Sequence, residues 1–303
     1  MQITFLGTGA AIPTVERGSA AIAIRRKNEL ILFDCGEATQ RQMVQAGVGF
    51  QRKTKIFVTH MHGDHVLGLP GLLQTMSLLS RKQELQIYGP KGIKDFVEAI
   101  NQTVPYTLTF PLEIFEVEAG LVCDEKEYQV TAVDSGHMDP ALCYALSEKP
   151  RPGRFNTKMA QKLGVPIGPL WSELQSGKSV TLPSGEVVEP ENVLGASRQG
   201  RKIVYTGDAG PSEALVELAK NADLLIHEST FEDALQERAL KDKHSTPTMA
   251  AQTAKQANVK KLVLTHISAR YKDANQLLEQ AKTTFPNTIL AEDLLQLELA
   301  LKD

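Results

Sequence analysis

Short runs of β character alternate with helical patterns almost from one end of this chain to the other. That alternation restricts the fold to sheets layered with helices, an α/β class. Candidate strands are Ile3–Leu6, Ala20–Arg25, Leu30–Asp34, Lys55–Thr59, Leu85–Tyr88, Leu112–Val117, Tyr128–Val133, Cys143–Leu146, Ile203–Thr206, Leu224–His227, Lys261–Thr265 and Ile289–Ala291. They are rich in Val, Ile, Leu, Phe and Tyr, and many are bounded by Gly, Pro or Asp. Candidate helices are Glu37–Ala46, Leu69–Ser80, Ile93–Thr103, Glu213–Asn221, Phe231–Lys241, Thr248–Asn258 and Ala274–Phe285. Leu215, Leu218 and Ala219 have the spacing of an amphipathic face, and Pro247 suits a first helical turn. With 42% hydrophobic residues in 303, one large domain has core enough.

One segment breaks the rhythm. Lys149–Leu170 holds Pro150, Pro152, Pro166 and Pro169, three glycines, the cations Lys149, Arg151, Arg154, Lys158 and Lys162, and no acidic residue. The chain as a whole carries a net charge of −3, so any attraction to nucleic acid must come from a local cluster such as this. The composition predicts an insertion projecting from a single domain. It should be extended and mobile, with a short helix over Thr157–Leu163 and a stiff base at Pro166-Ile167-Gly168-Pro169. Cys35, Cys123 and Cys143 are too few and too scattered for a disulfide framework, which predicts a reducing compartment. The N-terminus lacks the basic and apolar regions of a signal peptide, and Pro70, Gly71 and Gln74 interrupt the longest apolar stretch. The expectation is a cytoplasmic protein with no membrane association.

The strand Lys55–Thr59 runs straight into His60-Met61-His62-Gly63-Asp64-His65, which places four potential metal ligands within six residues. A tight turn after a strand aims such side chains into one space. Imidazole nitrogen and carboxylate oxygen suit zinc first, with manganese or iron as alternatives. His137, Asp208 and His266 each fall just past the carboxyl end of a candidate strand, where open α/β sheets place their sites. Gly7-Thr8-Gly9 lacks the third glycine and the helix of a dinucleotide fingerprint.

The HxHxDH turn with later His, Asp and His resembles the metallo-β-lactamase superfamily over nearly the whole chain. The resemblance implies a four-layer αβ/βα sandwich with two divalent metal ions at one rim. It assigns His60, His62 and His137 to one ion, Asp64, His65 and His266 to the other, and Asp208 as the bridge. Phe5-Leu6-Gly7-Thr8-Gly9-Ala10, Phe33-Asp34-Cys35-Gly36-Glu37-Ala38-Thr39-Gln40, His227-Glu228-Ser229-Thr230-Phe231 and His244-Ser245-Thr246 together resemble the ribonuclease Z (tRNase Z) family in its short form. Pro166-Ile167-Gly168-Pro169-Leu170 resembles the proximal part of that family's tRNA-gripping arm, so Gly168 and Pro169 join the five cations as substrate-binding candidates. Two stretches depart from the family pattern. An Arg-Asn pair is replaced within Pro13-Thr14-Val15-Glu16-Arg17-Gly18, and Ala209 stands where Thr often follows the bridging aspartate.

What the resemblance implies is a two-metal endoribonuclease that removes the 3′ trailer of precursor tRNA and works as a homodimer. Asp64 would accept the proton of the attacking water. His244, oriented by Glu228, would protonate the leaving ribose oxygen, whose alkoxide is a poor leaving group. The alternatives are another hydrolase of the same fold, a phosphodiesterase or thioesterase, and a non-catalytic RNA-binding relative. The basic insertion and the His244/Glu228 pair speak against the first, and the complete ligand set against the second.

Overall fold

In a computed structural model, which describes residues 1–104 and 106–302, the central strands are buried on both faces. Along Leu142–Glu148, Leu142, Tyr144 and Leu146 turn one way while Cys143 and Ala145 turn the other. The same two-residue period sorts Ile31 and Phe33 from Leu30 and Leu32, and Ile203 and Tyr205 from Val204. Burial on both sides is why these strands read as continuous apolar runs.

Two seven-stranded mixed sheets result. One runs in the order Gln296–Glu298, Gln2–Gly7, Ala21–Arg26, Glu29–Phe33, Lys53–Phe57, Leu85–Gly89, Leu112–Glu116. The other runs Thr288–Leu290, Leu262–Thr265, Leu224–Glu228, Lys202–Tyr205, Leu142–Glu148, Tyr128–Asp134, Gly120–Asp124. Their large inner residues, including Phe5, Phe33, Phe57, Tyr144 and Tyr205, form one shared core. The outer face of the first sheet packs on Met43, Leu72, Met76 and Val97 of three helices. That of the second packs on Leu215, Ala250, Ala254 and Ala281 of three more. This is the expected αβ/βα sandwich.

The parallel strands Lys202–Tyr205, Leu224–Glu228 and Leu262–Thr265 end on one rim. Asp208, Thr230 and His266 follow them there. In the first sheet the parallel strands Glu29–Phe33 and Lys53–Phe57 lead to Asp34 and to Val58-Thr59-His60. No helix among the described residues is long and apolar enough to cross a membrane.

Residues Met1–Ser147 and Lys202–Ala300 make up one compact unit. Glu148–Arg201, with the C-terminal Leu301 and Lys302, forms a second. The second unit has its own small core of Ala160, Val165, Leu174, Val180, Leu182, Val188 and Val193, against which Phe155 and Trp171 pack. Its first and last residues are joined by a two-pronged ion pair, Arg201 Nε and Nη2 each 2.8 Å from a Glu148 carboxylate oxygen. The basic stretch 149–170 is therefore only the first part of a folded unit, and it is not extended. Asn156 caps the helix Thr157–Lys162 by accepting from the Met159 amide, and Trp171 Nε1 donates to the Val165 carbonyl. Gly168, at φ 148°, leads into the helix Pro169–Gln175, where Pro169 occupies the first turn.

Phe231–Lys241 also departs from the expected single helix. It begins with a 3-10 turn at Asp233–Leu235 and becomes α-helical only from Gln236. The preceding backbone is held elsewhere, since the Glu232 amide donates to Tyr271 Oη.

Candidate metal centre

All seven proposed ligands converge at the rim. The strand Lys53–Phe57 delivers His60 and His62, and the one-turn helix Gly63–Val66 delivers Asp64 and His65. Gly36 makes this turn possible, because a Cβ there would sit 2.2 Å from the Asp64 carbonyl oxygen. Gly207, at φ +55°, turns the chain so that Asp208 enters the same space.

The donors sort into two sets. In one, His60 Nε2 lies 3.0 Å from His62 Nδ1, His137 Nε2 lies 3.4 Å from His62 Nδ1, and Asp208 Oδ2 lies 3.6 and 3.7 Å from His60 and His137. In the other, His65 Nε2 is 3.5 Å from Asp64 Oδ2 and 3.4 Å from Asp208 Oδ1. His266 Nε2 is 3.4 and 3.1 Å from the same two oxygens. Ligands about 2.0–2.1 Å from one tetrahedral ion stand about 3.3 Å apart, so both sets have metal-site spacing. Asp208 gives one oxygen to each. His65 Nε2 and Asp208 Oδ1 are buried and have no hydrogen-bond partner among the described residues, an arrangement that costs stability unless a cation lies between them. Chemistry and spacing together make this a divalent metal centre.

The opposite edges of the rings explain why the correct nitrogens face inward. His65 Nδ1 donates to Asp34 Oδ2 at 2.7 Å, and Asp34 is itself held by the Thr59 amide at 2.7 Å and Tyr205 Oη at 2.8 Å. His60 Nδ1 lies 3.0 Å from Thr59 Oγ1, and His137 Nδ1 lies 3.2 Å from the Lys243 carbonyl. Such partners fix the tautomer that leaves a lone pair for a metal.

Electrostatics agree with this picture. Burial, reinforced by the charge of His65, lowers the His60 pKa to about 2, which keeps that ring neutral. Burial opposes charging of His65 as well, yet Asp208 and Asp34 outweigh it and raise its pKa well above the ordinary value. Burial works against ionising Asp208 and Asp64, but the surrounding imidazoles hold both carboxyls well below the usual range. A field that draws in positive charge this strongly favours a divalent cation.

His244 stands beside the donors without completing either set. Its Nδ1 donates to Glu228 Oε1 at 2.7 Å, and one of its nitrogens lies within 4.8 Å of donor atoms of Asp208 and His266. Burial lowers its proton affinity, but the charge and hydrogen bond of Glu228 prevail and raise its pKa to about 9. Glu228 is fully buried and also accepts from the Ala209 amide at 2.9 Å. At position 209 the chain therefore holds Glu228 by its backbone, without a side-chain hydroxyl.

The substrate-binding candidates lie in the second unit. Arg154, Lys158 and Lys162 are exposed there, while the Arg151 guanidinium donates to the Lys302 carbonyl at 2.7 Å. Asp34, Thr59, Tyr205 and Thr230 went unassigned from the sequence. Asp34 ends the candidate strand Leu30–Asp34, and Thr230 lies three residues past Leu224–His227, a signal close to the one that exposed Asp208 and His266.

Residues 169–267 match the family model described as beta-lactamase superfamily domain, and residues 1–102 match that of the anti-Pycsar protein Apyc1. Ribonuclease Z of Methanosarcina acetivorans is 49% identical over 300 residues, covering 99% of this chain and 98% of that protein. Ribonuclease Z of Myxococcus xanthus is 46% identical over 305 residues, covering 100% and 99%. Human tRNase Z, short form, matches with a TM-score of 0.73 and 32% identity over 99% of this chain and 100% of that one. Zn(2+)-bound PqqB from Methylobacterium extorquens, 14% identical with a TM-score of 0.65 over 99% of this chain and 100% of that one, shares the fold.

Proposed function

Because the chain belongs to the ribonuclease Z family, we propose that it is an endoribonuclease that cuts the 3′ trailer from precursor tRNA, leaving a 3′-hydroxyl on the tRNA and a 5′-phosphate on the trailer. The observation that carries this reading is the His244–Glu228 pair beside the donor sets. A ribose alkoxide must be protonated as it leaves, whereas a thiolate departs unaided, so a positioned imidazolium suits phosphodiester and not thioester cleavage.

His60, His62 and His137 would hold one ion, Asp64, His65 and His266 the other, and Asp208 both. Mixed imidazole and carboxylate donors at tetrahedral spacing favour zinc, with manganese or iron as alternatives. When bound, two such ions activate a water and take up the charge that builds on the phosphoryl oxygens. Asp64 is kept ionised by the His65 and His266 rings and held in place by the Ala11 amide at 2.8 Å, and it accepts the proton of the attacking water. His244, protonated at neutral pH, donates to the departing 3′-oxygen, and Glu228 keeps its ring aimed and charged.

The stretch 149–170 would be the arm that grips tRNA, with Arg154, Lys158 and Lys162 facing phosphates, the half-buried Lys149 and Arg151 adding positive charge behind them, and Gly168 and Pro169 at the end of the stretch. A homodimer is the proposed assembly. Val44 and Leu78, exposed apolar residues on two helices that pack together, support it, with the exposed Leu79 just past the end of the second helix. We assign the reaction to the cytoplasm, where buried free thiols such as Cys35 and Cys143 stay reduced.

The test is incubation with a precursor tRNA carrying a 3′ trailer, followed by mapping of both new ends. Metal-dependent cleavage giving those two ends is expected. An intact precursor, together with rapid hydrolysis of a thioester, would reject the assignment.

A further inference from the structure

The hydroxyl of Thr230 has one proton and several neighbours. Glu228 Oε2 lies at 2.6 Å, His266 Nδ1 at 3.0 Å, the His266 carbonyl at 3.2 Å and His244 Nδ1 at 3.5 Å. Glu228 is ionised and can only accept, because His244 outweighs burial and lowers its pKa. If Thr230 gave its proton to the His266 carbonyl, two oxygens 2.6 Å apart would face each other with no proton between them. The short, charge-assisted bond to Glu228 therefore wins. A lone pair of Oγ1 is left toward His266 Nδ1, so that nitrogen must carry the ring proton. Nε2, which faces Asp64 and Asp208, is then the lone-pair nitrogen.

The molecule contains the same device a second time. Thr59 Oγ1 gives its proton to Asp34 at 3.0 Å and accepts from His60 Nδ1 at 3.0 Å, while His65 donates to Asp34 directly. At each sheet's rim one carboxylate and one threonine hydroxyl orient two rings. Asp34 serves His65 directly and His60 through Thr59. Glu228 serves His244 directly and His266 through Thr230.

We propose that Thr230 is a positioning residue whose single hydroxyl fixes the metal-binding tautomer of His266 and ties that ligand to the Glu228–His244 pair. The inference rests on His266 being a ligand. Replacing the hydroxyl by a methyl group leaves Nδ1 without an acceptor. His266 is then free to move its proton to Nε2, where it blocks coordination. Serine keeps the hydroxyl and loses only the methyl group.

The test is chelator competition with zinc on the full-length Thr230→Val, Thr230→Ser and His266→Ala proteins, with the His266 tautomer followed by 15N NMR of the metal-free forms. Thr230→Val should weaken one of the two metals by about 10–100-fold, the usual effect of removing a partner that orients a ligand. It should also shift the His266 proton toward Nε2. Thr230→Ser should stay within a few-fold of the parent. If His266→Ala loses a metal while Thr230→Val keeps both, the Thr230 proposal fails and the ligand assignment stands. If Thr230→Ser falls as far as Thr230→Val, the role is packing and the proposal is overturned. Parental binding of both metals by His266→Ala would remove the ligand assignment and this inference with it.

Discussion

The unit that carries the donors and the unit Glu148–Arg201 keep their candidate functional groups in opposite states. Around the donors Asp34, His60, His65, Asp208 and Glu228 are buried, with partners at 2.6–3.7 Å. In the other unit Arg154, Lys158 and Lys162 lie exposed on a small core. Charges in a desolvated rim interact strongly and only at fixed geometry, as a bond-breaking site requires. Exposed cations act on a polyanion across solvent, weakly one by one, and tolerate imprecise placement. Chemistry and grip should therefore fail separately.

The largest effect is expected at Asp208. Asp208→Ala removes an oxygen from both donor sets, so both ions should bind weakly. Turnover should drop by well over about 10³-fold, the cost of one charge-stabilising donor, on tRNA and on a small diester alike. Metal analysis of the purified variant checks this directly. Two retained ions with parental turnover would break the site assignment.

His244→Ala should separate chemistry from metal binding within the same unit. Metal content should match the parent while kcat on precursor tRNA falls by about 10²–10⁴-fold, the usual worth of positioned proton transfer. A nitrophenyl diester, whose leaving group needs no proton, should lose far less. Equal losses on both substrates would make His244 an organiser of the site and not its acid.

The ligand candidates, Asp208 among them, were legible for a local reason, whereas the roles of His244 and Glu228 came only through the family resemblance. His60, His62, Asp64 and His65 share one turn, and His137, Asp208 and His266 each follow a strand, so short-range pattern was enough. The roles of Asp34 and Thr230 depend on which distant ring each meets, and threonine is too common to stand out. The strand Gly120–Asp124 was missed because it is an edge strand whose residues are mostly exposed. The second unit was the least legible. Pro and Gly content suggested an extended arm, but its order comes from Ala160 and Val165 packing on Leu174, Val180 and Val188, and no periodic pattern marks those contacts. Pro166-Ile167-Gly168-Pro169 is expected to be a stiff base, yet Pro169 opens a helix, since proline in a first turn is equally a helix start.

A pH profile sharpens the same division. As the proposed acid, His244 has to be protonated, so kcat should hold through neutral pH and decline as pH rises through about 9. Glu228 is the group that raises this value against burial. Glu228→Gln removes its charge, so the alkaline limb should move down toward the ordinary histidine range near 6.5. Single-turnover rates on precursor tRNA across pH check the shift. An unmoved limb would assign it to some other group.

The smallest effect is expected in the second unit, from Arg154→Ala, Lys158→Ala and Lys162→Ala combined. All three side chains are exposed, and none belongs to its core, so the fold should survive. Each phosphate contact contributes about 0.7–0.9 to the slope of log affinity against log salt, so three lost contacts should make that slope shallower by about 2–3. At moderate salt the KM for precursor tRNA should rise roughly tenfold, because a few released counterions account for only part of a polyanion's binding. Turnover at saturating tRNA, hydrolysis of a small diester and metal content should not change. The salt slope is the decisive readout, because a loss of packing would weaken binding without altering how binding depends on salt. An unchanged slope would leave these cations as bystanders and move the search for the tRNA-binding surface to the unit that carries the donor sets.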